Sequence, residues 1–377
     1  MSELRQLIGE LVAIDSVNPD LVPGAAGEAE IAHHVAGWLE RAGLTVRLDE
    51  SVKGRPNVIG IARGTGGGRT LMLNGHLDTV GAGGMARPFE PRVEEGRLYG
   101  RGAYDMKGGL AACMVAAAEA GRRRLRGDVL VAAVVDEEFA GLGTMGIAGR
   151  YRADGALIAE ATELELVLAH KGFVWAEIET LGVAAHGSRP ELGVDAIARM
   201  GRVLVELERL DRDLRAGPTH PRLGGGSLHA SLIAGGQELS SYPERCKLSL
   251  ERRTIPGETP EVVEAELRGI VERLGADDPS FRAVVRRGID RPPMETPEDA
   301  GVVQALARAA AGVLGRPCEI RGVPYWTDAA TLWGAGIPTV LFGPSGAGAH
   351  ANDEWVDLDS AKACAEIYLA TALEFCG

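Results

Sequence analysis

The sequence predicts an α/β protein with a second, smaller α+β domain inserted into its main domain. Three observations lead to this prediction. The chain has 377 residues, which is more than one hydrophobic core usually serves. Up to residue 172, short apolar runs alternate with helical segments. From Phe173 the predicted order becomes β-α-β-β-α-β, and the α/β pattern then returns.

The first part of the chain alternates helices with buried strands. Two amphipathic helices come first, and the second ends at Gly43. Apolar runs of strand length follow, with an alanine-rich helix among them. The runs are NVIGIAR, TLMLNG, VLVAAVV and GALIAE, and the helix is GGLAACMVAAAEAG. A ligand lies beyond the carboxyl ends of the strands in such a sheet, so we expect functional residues directly after these runs.

Residues 173–287 are predicted to form the inserted domain. FVWAEIETLG alternates like a half-exposed strand, and two helices and three more strands follow it. Their order matches the ferredoxin-like motif. After DRPPMETPED a long helix and the buried strand GIPTVLFGP return to the first pattern. Residues 1–172 and 288–377 are therefore predicted to form one discontinuous domain that holds the catalytic site.

Charge and cysteine content exclude several classes of partner. A net charge of -13 disfavours nucleic acids and anionic membranes, which the protein would repel. Five cysteines without a C-x-x-C pair are typical of free thiols in a reducing compartment. The opening residues form an amphipathic helix rather than the apolar segment of a signal peptide, and no membrane span is present. We therefore expect a cytoplasmic enzyme.

Acidic residues and histidines follow the predicted strands. Each has an alternative explanation: DEEFAGLGT could be a solvated helix-starting turn, and Asp105 could be a helix N-cap. Together they place two histidines and at least three carboxylates at successive strand ends. Two metal ions that share a carboxylate would compensate the repulsion among these acidic groups. The residues are His76, Asp78, Asp105, Asp136, Glu137, Glu138, Glu160 and His350.

Six motifs in a fixed order resemble the M20 family of metallopeptidases and deacylases, over nearly the whole chain. The motifs are NGHLDTV, GRLYGRGAYDMKGG, DEEFAGLGT, AAHGSRPELGVDAI, ERRTIPGET and GAHANDEW. The family includes acetylornithine deacetylase, succinyl-diaminopimelate desuccinylase and glutamate-releasing carboxypeptidase. The resemblance implies a zinc-peptidase-like α/β catalytic domain whose inserted ferredoxin-like domain is a lid and joins a homodimer. It also implies two zinc ions, for which cobalt or manganese could substitute.

The resemblance further implies a role for single residues. The resemblance implies that Glu137 is the general base, whereas spacing alone does not distinguish Glu137 from Glu138 in this role. It also implies that Asp78 orients a metal-bound histidine. In the inserted domain, His186 would hydrogen-bond the scissile carbonyl oxygen in the partner's site. Arg253 would clamp a substrate carboxylate, and Gly348 is a further implied substrate-binding residue. The implied metal ligands are His76, Asp105, Glu138, Glu160 and His350, with Asp105 bridging both ions.

These assignments predict a dizinc amidohydrolase that removes an acetyl, succinyl or similar group from the nitrogen of a small amino acid. Glutamate at position 160, rather than aspartate, resembles the deacylase branch. The alternative within the family is a metallo-carboxypeptidase or dipeptidase that acts on short peptides. From another class, the alternative is a non-catalytic, metal-stabilised binding protein. Loss of a ligand or of Glu137 would favour that class, and none of these residues is missing.

Overall fold

The structure, a computed structural model, describes residues 2–377 and divides into two compact units. Unit 1 comprises the described residues up to Leu168, together with Thr296–Arg321 and Thr327–Gly377. Unit 2 comprises Ala169–Glu295 and Gly322–Trp326. The catalytic and dimerising roles that the sequence suggests for its two domains stay predictions.

Three of the helices begin after a residue whose side chain caps them. Asp195, Thr259 and Asp357 each accept a hydrogen bond from a main-chain N–H in the first turn of the helix that follows. The α-helices are α1 Ser2–Val12, α2 Ala29–Arg41, α3 Gly108–Arg122, α4 Leu142–Ala148, α5 Ala196–Ala216, α6 Pro260–Asp277, α7 Gly301–Leu314, α8 Ala329–Gly334 and α9 Leu358–Phe375. A π-helical turn, Ala103–Lys107, precedes α3. Within residues 2–377, no helix has the length and apolar character needed to cross a membrane.

The strands belong to three sheets. They are β1 Thr45–Val52, β2 Arg55–Ala62, β3 Leu71–His76, β4 Arg92–Glu94, β5 Arg97–Tyr99, β6 Val129–Val134, β7 Gly155–Ile158, β8 Leu166–His170, β9 Gly172–Leu181, β10 Ser227–Gly235, β11 Arg245–Thr254, β12 Arg282–Arg291, β13 Met294–Glu295, β14 Ile320–Val323, β15 Thr339–Leu341, β16 Gly346–Ala347 and β17 Trp355–Asp357.

The centre of unit 1 is a run of parallel strands in the order β6-β3-β7-β15. Every residue of these strands is buried, which is why most of their side chains are apolar. The strands β2 and β1 extend the sheet on the β6 side, and each pairs antiparallel with its neighbour. Because the central strands are parallel, their carboxyl ends lie along one edge, and the segments that follow them meet there.

A small sheet of order β16-β17-β5-β4 positions the loop that carries His350. Its strands β16 and β17 pair antiparallel, and the loop between them carries His350. The strand β17 also pairs with β5, which ends shortly before the turn that contains Asp105. The loop of His350 and the turn of Asp105, which are far apart in the sequence, are thereby brought together.

Unit 2 contains a four-stranded antiparallel sheet of order β10-β11-β9-β12. The strands β9 and β11 alternate buried with partly exposed residues. Their buried face packs against α5 and α6, and one apolar cluster contains Ile178, Leu248, Met200 and Leu267. The β-α-β-β-α-β order and the mixed sheet of unit 1 confirm the predicted fold class.

Two neighbouring strands, β8 and β13, pair at His170 with Met294 and at Ala169 with Glu295.

Candidate metal centre

All the predicted metal ligands lie in unit 1. His76 is the last residue of β3, Glu138 follows β6, and Glu160 follows β7. His350 belongs to the segment that follows β15, and Asp105 lies in the π-helical turn before α3. Strand-end positions therefore account for most of the ligand candidates.

The ring of His76 is held in a single orientation. Its Nδ1 lies 2.9 Å from the main-chain oxygen of Asp78, and because a carbonyl oxygen only accepts, Nδ1 carries the hydrogen. Its Nε2 lies 3.1 Å from Oδ1 of Asp105 and 3.7 Å from Oε1 of Glu160. In the neutral ring this nitrogen has a lone pair directed at two acceptors. A proton or a cation between these atoms is needed to make the arrangement favourable.

His350 faces the other oxygen of Asp105. Its Nε2 lies 3.2 Å from Oδ2 of Asp105 and 3.0 Å from Oε2 of Glu138. Asp105 thus directs one oxygen towards each histidine. The side chain of His76 is 1% exposed, whereas that of His350 is 55% exposed. One side of the centre is consequently buried and the other is open.

The donor atoms fit divalent cations. Two groups have one donor atom from each member within 4.8 Å of the others: His76 with Glu137 and Glu160, and His76 with Asp105 and Glu138. An imidazole nitrogen among carboxylate oxygens is a donor set that suits zinc and related ions. The lone pair of His76 facing Asp105 and Glu160 agrees with this chemistry.

The crowding of buried carboxylates shifts the pKa values of the acidic residues in the centre. Burial, together with the charge of Asp105, raises the pKa of Glu160 to about 8 and that of Glu138 to about 7. Burial, followed by the charge of Glu160, raises the pKa of Glu137 well above its usual value. Burial alone would raise the pKa of Asp105, but hydrogen bonds from the rings of His350 and His76 in their protonated forms outweigh it and hold the pKa of Asp105 well below its usual range. Bound cations would compensate the same negative charge.

The carboxylate of Asp78 holds the main chain of the acidic loop. Its Oδ1 accepts the N–H of Glu137 at 3.1 Å, and its Oδ2 accepts the N–H of Glu138 at 3.1 Å. The same carboxylate lies 3.6 Å from Nδ1 of His76, so the nearer acceptor for the ring is the Asp78 carbonyl oxygen. Asp78 therefore contacts the histidine through its main chain and the acidic loop through its side chain.

A buried polar network that sequence reasoning missed supports this loop. Asn18 donates through Nδ2 to Oδ2 of Asp78 at 2.8 Å and to Oδ1 of Asp136 at 3.1 Å. Arg55 lies 3.2 Å from Asp136 and 2.5 Å from Glu28. Asn18 is 60 residues from Asp78 and 118 from Asp136, and no local spacing pattern signals a contact over such separations. The first member of the acidic triplet is thus a structural residue in the network.

Another buried carboxylate near these groups was also missed. Asp328 is 1% exposed and accepts a hydrogen bond from Oγ1 of Thr144 at 2.7 Å. Burial raises its pKa to about 7, and the charges of Asp78 and Asp136 contribute to this shift. Asp328 precedes α8 instead of following a buried strand, so the strand-end argument passes over it.

The remaining predicted site residues are His186, Arg253 and Gly348. In unit 2, His186 is exposed, and its Nδ1 lies 2.8 Å from Oγ of Ser188. Arg253 is partly buried, and its Nε donates to Oε1 of Glu251 at 2.7 Å. In unit 1, Gly348 has φ +84°, and a Cβ there would lie 1.9 Å from the main-chain oxygen of Asp353, so only glycine fits.

Two curated relatives match along almost their full length. The chain is 33% identical to an acetylornithine deacetylase of Myxococcus xanthus, over 99% of this chain and 98% of the relative. It is 29% identical to an N-formyl-4-amino-5-aminomethyl-2-methylpyrimidine deformylase of Bacillus subtilis, over 99% and 95% of the two chains.

Solved structures share the fold. The aminopeptidase PepT of Bacillus cereus superposes with a TM-score of 0.81 at 22% identity, over 100% of this chain and 99% of that one. An M20 family metallo-carboxypeptidase of Sulfolobus solfataricus superposes with a TM-score of 0.80 at 18% identity, over 100% and 99% of the two chains. The model of Peptidase family M20/M25/M40 matches residues 72–374, a span that contains every predicted metal ligand. The chain belongs to Peptidase family M20/M25/M40.

Proposed function

We propose that this M20 protein is a dizinc amidohydrolase that removes an acetyl, succinyl or similar acyl group from the nitrogen of a small amino acid. The observation that carries the proposal is Asp105, whose two oxygens lie 3.1 Å and 3.2 Å from Nε2 of His76 and of His350. A carboxylate in this position is suited to bridging two cations. The relatives named as an acetylornithine deacetylase and as a deformylase favour an acyl–nitrogen bond as the target.

The ligands divide into two sets around Asp105. His76 and Glu160 would hold one ion with Oδ1, and His350 and Glu138 would hold the other with Oδ2. Bound divalent ions supply a Lewis acid that polarises the substrate carbonyl and lowers the pKa of water. Zinc is proposed because of the mixed nitrogen and oxygen donors, and cobalt or manganese would suit the same ligands.

Glu137 is the proposed general base. Its carboxylate would take a proton from the water whose oxygen bonds to the acyl carbon. The same proton would then pass to the substrate nitrogen as the carbon–nitrogen bond breaks, which yields a carboxylic acid and a free amine. The hydrogen bond from the Glu137 N–H to Asp78 fixes the main chain that presents this carboxylate.

Residues of unit 2 are proposed to bind the substrate. His186 would donate a hydrogen bond to the scissile carbonyl oxygen, where negative charge develops, in the site of a partner subunit. Arg253 would bind the carboxylate of the substrate through its terminal nitrogens, since Glu251 already holds its Nε. The exposure of His186 suits such a role between subunits. Gly348, in the loop that carries His350, would contact the substrate from unit 1 through its main chain.

A substrate screen with zinc-loaded protein tests the proposed reaction. N-acetyl, N-succinyl, N-formyl and N-carbamoyl amino acids are compared with dipeptides by the release of free amine. We expect an acylated amino acid to be hydrolysed fastest, a chelator to abolish the activity, and zinc or cobalt to restore it. Faster hydrolysis of dipeptides would favour the peptidase alternative. Full activity in rigorously metal-free protein would exclude the mechanism.

A complementation experiment tests the shared site. The variant His186→Ala should keep its metal but lose turnover by roughly 100-fold, the scale of one missing oxyanion donor. Mixed with inactive Glu137→Gln chains under conditions of subunit exchange, it should form dimers that have one intact site. We expect activity to reappear in the mixture. No recovery despite demonstrated exchange, or a fully active monomer, would contradict the shared site.

A further inference from the structure

We infer that Glu354, paired with Arg101, positions the bridging carboxylate of Asp105 and links it to the loop that carries His350. The inference rests on the metal centre proposed above. It concerns two residues that have no part in the ligand sets or in the proposed chemistry, and it is carried by the contacts of the Glu354 carboxylate.

Glu354 binds the turn that presents Asp105. Its Oε1 accepts the main-chain N–H of Tyr104 and of Asp105, each at 3.0 Å. Its Oε2 accepts the N–H of Gly102 at 2.9 Å and a guanidinium nitrogen of Arg101 at 2.7 Å. The residue is 1% exposed. Because the N–H groups ahead of a helix lack partners within it, this carboxylate supplies the acceptors that fix the turn.

Arg101 extends the contact to the other histidine. A second guanidinium nitrogen donates to the main-chain oxygen of Ala351 at 2.8 Å, directly beside His350. The N–H of Gly100 also donates to the main-chain oxygen of Glu354 at 3.1 Å. The pair therefore joins the turn of Asp105 to the loop of His350. The separation between Asp105 and His350 therefore depends on the pair of Glu354 and Arg101.

A merely structural ion pair would have a different consequence. Removing one partner of any buried pair leaves an uncompensated charge and lowers stability, wherever the pair lies. Only a positioning role also changes the affinity of the centre for metal. The chain offers a control in the buried carboxylate of Glu165, which is 6% exposed, pairs with the half-exposed Arg316 at 2.9 Å and accepts the N–H of Glu319.

The test compares Glu354→Gln with Glu165→Gln. In Glu354→Gln an amide replaces the carboxylate that accepts the N–H groups of the turn. The NH2 group of the amide would face some of these donors, so the turn should shift. We expect the zinc dissociation constant, measured by chelator competition, to rise by about 10–100-fold, the usual scale for a group that orients a metal ligand. The visible absorption of the cobalt-loaded protein should change as well. Glu165→Gln should bind zinc like the parent protein, although both variants should unfold at lower temperature without metal.

Two outcomes would overturn the inference. If folded Glu354→Gln binds zinc with the parent dissociation constant, the residue has no positioning role. If the parent protein binds no zinc, the metal centre is wrong and this inference is wrong with it. A parent that binds zinc but hydrolyses no substrate counts against the proposed reaction alone.

A second variant keeps the test decisive if Glu354→Gln does not fold. Arg101→Lys retains the positive charge beside Glu354 but lacks the fork that also reaches Ala351. We expect it to weaken zinc binding in the same direction. An unchanged dissociation constant in folded Arg101→Lys would contradict the link between the two ligands.

Discussion

Glutamine in place of Glu137 is expected to lower the turnover number by roughly 100-fold or more, the scale of a lost general base. The side-chain amide has nearly the same shape as the carboxylate but does not accept a proton from water near neutral pH. The main chain at this position is held by Asp78, so the substitution should leave the loop in place. Metal content should therefore stay close to that of the parent protein. Steady-state kinetics and metal analysis of one preparation check both statements.

The neighbouring variant Glu138→Gln is the matched control. Glu138 lies 3.0 Å from Nε2 of His350, so its loss should lower metal occupancy before it affects the chemistry. Added zinc should restore part of the activity of Glu138→Gln and none of that of Glu137→Gln. If Glu137→Gln loses metal while Glu138→Gln keeps its metal but loses turnover, the roles of the two glutamates are reversed.

Asparagine in place of Asp105 is expected to release metal and to lower activity by roughly 100-fold or more, because in the proposed centre both ions would lose the charged ligand that they share. An asparagine side chain keeps one oxygen, and its nitrogen would face one of the two histidines. Since Asp105 contacts both His76 and His350, a single substitution should affect both sides of the centre. Metal content per chain and activity during a zinc titration measure the effect.

Asp154→Asn is the control for this substitution. Asp154 accepts the main-chain N–H of Thr70 at 2.7 Å and lies just before β7, at the amino ends of the parallel strands. It lies at the edge of the sheet opposite the ligands, so its variant should keep metal and activity. An Asp105→Asn protein that retains full metal content and activity would exclude the bridging role.

Local pattern predicts the elements and several of the ligands. His76 and Glu160 were recognised because each ends or follows a short apolar run, and parallel strands bring such positions to one edge. The small domain is predictable because the order of its elements matches the ferredoxin-like motif, and the alternation in β9 reflects one face packed on helices. These features depend on neighbouring residues, which a single sequence displays.

Contacts between distant segments carry no such signal. Asn18 bridges Asp78 and Asp136, and Arg101 reaches Glu354 across 253 residues. A buried arginine and a surface arginine look alike in a sequence, because burial depends on the tertiary structure that surrounds them. For the same reason, spacing alone leaves open which of Glu137 and Glu138 binds metal.

The pairing of β8 with β13 has an evolutionary consequence. His170 lies opposite Met294, so the long segment of the small unit, Ala169–Glu295, begins and ends at adjacent positions. A segment whose two ends are neighbours can be acquired, lengthened or exchanged as a block, because the host chain needs only a tight connection at that point. The intervening sequence is then free to diversify under selection on its own surface.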